Sequence, residues 1–218
     1  LLTEQVLQGV KNMSAVLVSN TMFEYTPVLE LDFGKALKRM NDNEFFEFCQ
    51  RNKSMRIEMD KHGEITIMPP TGSETGGKNF TLTVKFGIWA DKDGTGKGFD
   101  SSTGFRLPNG AKRSPDLSWM KLEKWNSIPA SKRKKFAPVC PDFVVELRSE
   151  TDSLTKLQIK MEEYIENGAA LGWRIDAGKR KVYVYRQNAK VEILEHPSEV
   201  SGEPLLKGFT LNLKEIWD

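Results

Sequence analysis

The sequence predicts a mixed-sheet α/β fold flanked by helices, with an N-terminal β-hairpin and C-terminal strands as extensions. Three observations carry this. Residues 55–59 alternate in character, turn at Lys61-His62-Gly63 and resume over 65–68, the pattern of a hairpin. Phe143-Val144-Val145-Glu146-Leu147 is a short apolar run of strand length. Helix-period segments follow residues 71 and 152, so helices alternate with strands along the chain.

Taken in order, residues 1–40 read as an N-terminal arm, with 29–33 a strand or a docking segment. Residues 41–218 read as a single domain. Asn41-Asp42-Asn43-Glu44 places capping residues ahead of an apolar-periodic run and predicts a helix. After the hairpin, Pro69-Pro70 and the glycine-rich stretch 71–77 lead into a second helix, with Leu82, Phe86 and Trp89 on one side. A flexible loop is expected over 91–98, short strands over 98–100 and 104–107, and a strand over 116–120. Residues 131–135 form a basic loop. A helix spans 152–167, opened by Asp152 or Ser153 and stopped by Asn167-Gly168, with Leu154, Leu157, Met161 and Ile165 as its buried stripe. Strands over 171–175 and 182–185 pair across Gly178-Lys179, and short strands end the chain.

Composition narrows the function classes. The chain is 39% hydrophobic and 28% charged, which suits a folded domain rather than a disordered one. There is no apolar run of the roughly 18 residues that span a bilayer and no secretory-type N-terminus, so no membrane association and a cytoplasmic location are expected. Cys49 and Cys140 lie far apart, and His62 and His196 are too scattered for a His-based metal cage. Net charge is +2, yet residues 111–135 carry eight Lys and Arg against Asp116 and Glu123, a pointer toward a polyanionic partner in which Lys112 and Arg113 take part.

One pattern carries chemistry. Ser114-Pro115-Asp116 precedes a strand, Glu146 ends another, and the next helix carries Lys156 and Lys160. Two carboxylates converging from adjacent strands can hold Mg²⁺ or Mn²⁺ through hard oxygen ligands. A cation so held activates water, and a nearby lysine can orient that water or contact a phosphate.

These stretches resemble the Uma-type restriction endonuclease family of the PD-(D/E)XK superfamily. The resemblance rests on 98–105, Arg113-Ser114-Pro115-Asp116, 141–149, 160–164, Asn167-Gly168 and Leu171-Gly172-Trp173, and spans about residues 40–217. It implies a restriction-endonuclease-like core, Mg²⁺-dependent cleavage of DNA, a homodimer, and Asp116 and Glu146 as metal ligands. The family's usual lysine stands two residues after the acid, a position that holds Arg148 here. A guanidinium is no general base, so Arg148 is read as a phosphate clamp. The resemblance moves the lysine to Lys160, with Lys156 one turn earlier in reserve. Glu74 matches an additional acid at the start of the first long helix, and Gln158 is a polar neighbour within reach.

Singly, each of these residues has a plainer reading. Pro-Asp before a strand is commonly a turn, Glu146 a solvent-facing acid, Lys160 a solvated or locally paired lysine, and Glu74 a helix-start acid favoured by the macrodipole. Two other function classes fit the same residues: a non-catalytic nucleic-acid-binding or assembly protein with this fold, and a glycosidase using two of Glu74, Asp116 and Glu146.

Overall fold

The computed structural model describes residues 29–31, 40–150 and 152–217. The expected arm over 1–40 lies outside them, apart from β1 (Leu29–Leu31), a strand on the hairpin's edge, and the final residue of the stretch.

Asn41 caps α1 (Asp42–Arg51): its side chain accepts from the Asn43 and Glu44 amides, and Glu44 reaches back to the Asn41 amide at 2.7 Å. The hairpin is β2 (Arg56–Met59) with β3 (Ile65–Met68), Ile57 opposite Ile67. It lies in a five-stranded sheet, ordered β1-β3-β2-β6-β5, with β5 (Phe105–Arg106) and β6 (Lys112–Arg113). The period of two divides β2 between environments. Ile57 and Met59 join Ile65, Ile67 and Phe45 in one apolar cluster, which leaves Arg56 and Glu58 on the other face.

The main sheet has six strands, ordered β11-β10-β9-β8-β7-β4. These are β4 (Gly96–Asp100), β7 (Leu117–Lys121), β8 (Phe143–Arg148), β9 (Leu171–Asp176), β10 (Lys181–Arg186) and β11 (Glu192–Glu195). Only β8 and β9 pair in parallel, which makes the sheet mixed. A long helix, α2 (Ser73–Asp93), covers one face: Leu82 and Phe86 pack with Leu117, Trp119, Phe143, Val145 and Leu147. A small two-stranded sheet, β12 (Glu199–Ser201) with β13 (Thr210–Asn212), and the closing helix α6 (Lys214–Trp217) complete that layer. A second helix, α5 (Leu154–Glu166), covers the opposite face, where Met161 and Tyr164 meet Val144. Gly172 permits this close approach, because a Cβ there would lie 2.6 Å from Met161 Cε and 3.4 Å from Val144 Cγ2.

Three expectations are corrected. The loop expected from residue 91 begins later: α2 runs to Asp93 and Gly94, at φ 63°, ends it by donating to the Ala90 carbonyl. The basic stretch after Pro129 is not all loop, since it follows α3 (Leu122–Ser127) and contains the single turn α4 (Ala130–Arg133). The stripe of α5 is wider and more polar than expected, with Lys160, Glu163 and Tyr164 buried while Leu154 is partly exposed. The cause is that α5 has neighbours on two sides, the main sheet and the hairpin layer, so its flank is covered as well as its apolar stripe.

Candidate active site

The site lies where α5 passes between β8 and the hairpin. Along β8, Phe143, Val145 and Leu147 belong to the cluster under α2, whereas Val144 belongs to the cluster under α5. Glu146 is therefore delivered to the α5 face by strand alternation alone. Leu117 pairs with Val145 and Ser118 with Val144, so continuing the register by one residue sets Asp116 opposite Glu146. Asp116 Oδ2 accepts from the Leu147 amide at 2.8 Å, which fixes the carboxylate at the strand edge.

From above, α5 contributes two side chains one turn apart. Lys160 Nζ lies 2.8 Å from Glu146 Oε1 and donates to Glu58 Oε1 at 2.9 Å. Tyr164 Oη donates to Glu146 Oε1 at 3.0 Å. The sequence places Asp116, Glu146 and Lys160 as candidates, and the fold brings all three to one spot. Lys156 is exposed.

The hairpin supplies two groups that sequence reasoning missed. Glu58 is buried and accepts from the Ser114 amide at 2.9 Å as well as from Lys160. Arg56 Nη1 donates to Asp116 Oδ1 at 2.7 Å, and its Nη2 donates to the Ser114 carbonyl. Their signal was present as the polar half of an alternating strand, a pattern that more often marks a solvated face. Glu163, in the sequence a possible local partner of Lys160, instead holds Arg113 Nε at 2.6 Å and accepts from Asn109 at 2.9 Å.

Several expected contacts are engaged elsewhere. Arg113, read as substrate-binding, is partly buried and paired with Glu163 and Glu58. Lys112 is buried against Asp42, the Gly110 carbonyl and the Phe45 ring. Arg148, the expected phosphate clamp, holds both oxygens of the buried Asp176 at 3.2 Å. Glu74 is exposed and pairs with Lys78 one turn on, as a helix-start acid does. Gln158 is exposed and donates to Glu162, so it turns away from the site.

The electrostatics of the cluster are uneven. Four buried carboxylates, Glu58, Asp116, Glu146 and Glu163, face the three cations Arg56, Arg113 and Lys160, leaving one negative charge in excess. Glu58 is well provided for: burial disfavours its charge, but Lys160, Arg113 and Arg56 together hold it down to about 2. Glu146 carries the excess. Burial above all, helped by neighbouring Asp116, pushes it up to about 7 against the pull of Lys160. Partial burial works against the charge of Arg56, yet Asp116, Glu58 and Glu146 hold its proton firmly.

A divalent cation fits this donor set. Asp116 and Glu146 are hard oxygen donors, and an added cation would relieve the excess charge. Among the described residues no three His, Cys, Asp or Glu side chains form a ready-made metal cage.

Fold and cluster together define a restriction-endonuclease-like α/β protein. Residues 42–214 match the family described as "Uma2: Putative restriction endonuclease", and the chain belongs to that family. A crystal structure described as "a putative nuclease belonging to DUF820", from Anabaena variabilis ATCC 29413, has the same fold. It gives a TM-score of 0.63 at 20% identity, covering 74% of this chain and 89% of that one. No curated protein matches. Among the described residues, no helix is long and apolar enough to cross a membrane.

Proposed function

We propose that the protein is a Mg²⁺- or Mn²⁺-dependent endonuclease that hydrolyses phosphodiester bonds in DNA, with Asp116 and Glu146 as metal ligands. The observation that carries this reading is the contact of Lys160 with Glu146, beside Asp116, in a buried cluster one positive charge short of neutrality. Asp116 and Glu146 would hold the cation, which would supply water activation and charge relief on the phosphate. The protein's own residues do the rest. Leu147 N–H and Arg56 fix the two oxygens of Asp116. Glu58 anchors the Lys160 ammonium, so that its positive charge stays beside the reacting phosphate. Tyr164 orients Glu146.

For DNA affinity, the exposed Lys132 and Lys134 replace the buried Lys112 and the ion-paired Arg113 as the candidate phosphate contacts. The free thiols of Cys49 and Cys140 suit a reducing, cytoplasmic setting. A homodimer would place two such sites on the two strands of a duplex, a state that light scattering reads directly.

The test is incubation of the purified protein with supercoiled DNA, linear DNA and RNA, in Mg²⁺, Mn²⁺ or chelator. Cutting of DNA that requires metal and is lost in Asp116→Asn supports the reading. Cutting that persists in chelator overturns it, and tight DNA binding without cutting in either metal assigns the protein to the non-catalytic class.

A further inference from the structure

Each proposed metal ligand carries a cation from outside the core sheet: Lys160 of α5 lies on Glu146, and Arg56 of the hairpin lies on Asp116. Asp116 offers two oxygens. Oδ2 is held by the Leu147 amide at 2.8 Å, and Oδ1, the oxygen that remains, is covered by Arg56 Nη1 at 2.7 Å. A divalent cation on Asp116 and a guanidinium on the same oxygen repel one another at short range in a poorly screened site. Arg113 and Lys160 do not create this conflict with Asp116, since their partners are Glu163, Glu58 and Glu146.

Arg56 is also the cation best able to leave. Its side chain is 26% exposed, against 11% for Arg113 and 10% for Lys160. Its contacts run through the two terminal nitrogens, while its buried Nε has no hydrogen-bond partner among the described residues. A fork held by its tips, with one donor unsatisfied, gains less from its pose than a fully paired guanidinium does.

We propose that Arg56 is an internal counter-cation of Asp116: it balances that carboxylate in the metal-free protein, competes with the divalent cation for Oδ1, and so sets the metal affinity of the site. This rests on the assignment of Asp116 as a metal ligand. Arg56 is thus a positioning residue whose removal strengthens metal binding, the reverse of what loss of a supporting contact produces. Were Arg56 only a brace for the segment 114–116 through the Ser114 carbonyl, its loss would misplace Asp116 and weaken binding.

The experiment is calorimetric titration of Mn²⁺, without DNA, into the metal-free wild type, Arg56→Met, Arg56→Lys and Asp116→Asn. Removing a unit charge from contact with the ligand oxygen should lower Kd in Arg56→Met by about tenfold or more, with Arg56→Lys between it and the wild type. An unchanged or higher Kd in Arg56→Met, while Asp116→Asn loses binding, overturns the counter-cation role and leaves the metal site standing. Mn²⁺ binding that survives Asp116→Asn places the cation elsewhere and removes both. A second measurement needs no folded variant: ¹⁵N spectra of arginine side chains in the wild type during Mg²⁺ titration. The Arg56 guanidinium resonance should move and that of Arg113 should stay, whereas an unmoved Arg56 signal at saturating Mg²⁺ also overturns the proposal.

Discussion

Lys160 meets Glu146 at 2.8 Å and Glu58 at 2.9 Å, so one ammonium from α5 joins the main sheet to the hairpin layer. The same side chain thereby has a structural role and, on the proposed function, a chemical one. It balances two buried carboxylates, and it holds a positive charge where a scissile phosphate must sit if Asp116 and Glu146 bind the metal.

Lys160→Met should reduce single-turnover cleavage on the order of 100-fold or more, whereas Lys156→Met, on the exposed side of α5, should cut at the wild-type rate. Rates measured at saturating enzyme and metal decide this. A dead Lys156→Met beside an active Lys160→Met would place the lysine's role one turn earlier. Because Lys160→Met leaves Glu58 and Glu146 without their shared cation, it should also lower the melting temperature, so rates are compared well below that transition.

Asp116→Asn and Glu146→Gln should each abolish turnover, yet they should differ in the metal-free stability they leave behind. Glu146→Gln removes the charge in excess, and Lys160 keeps Glu58 as partner, so its melting temperature should rise. Asp116→Asn takes from Arg56 its closest carboxylate, so its melting temperature should rise less or fall. Calorimetry of both variants in chelator gives the comparison, and wild-type cutting by either would remove that residue from the assignment.

Stability should depend on pH through Glu146. Its folded value, about 7, lies above its ordinary 4.5, so the folded state binds the extra proton between those limits. Stability from this group is present below about pH 4.5 and is lost as pH rises through 7, by up to about 3 kcal/mol. Glu58 acts the other way, but its contribution is lost only as pH falls toward 2. Melting temperatures in chelator should therefore decline between pH 5 and pH 8 more steeply in the wild type than in Glu146→Gln. Parallel profiles for the two proteins would show that Glu146 does not carry the excess charge.

Arg113→Met should behave as a core lesion. It strips the buried carboxylates Glu163 and Glu58 of a partner, a class of change that costs roughly 3–5 kcal/mol. Lys132→Ala with Lys134→Ala should instead leave stability within about 0.5 kcal/mol and lower the salt dependence of DNA affinity by roughly one counterion per residue lost. Chemical denaturation and binding isotherms at several salt concentrations separate the two. An unchanged salt slope in the double variant would leave that turn as solvated surface.

Much of this molecule is legible in its sequence, because local physics writes it there. The capping box at Asn41 and Glu44, the period of two in the hairpin and the apolar run from Phe143 are short-range signals that hold whatever surrounds them. Asp116, Glu146 and Lys160 are legible as candidates for a related reason: two strand-end acids and a helix lysine in that order resemble a known pattern.

What only the tertiary structure decided is which charge meets which. Arg56 and Glu58 enter the cluster across separations of 60 and 102 residues, to Asp116 and Lys160. Arg113, Lys112 and Arg148 find their carboxylate partners in Glu163, Asp42 and Asp176. An arginine in a sequence states a charge and a reach, but not a partner. The partner is chosen when burial makes an unpaired charge too costly to leave, and that cost exists only once two sheets and a helix have closed over the site.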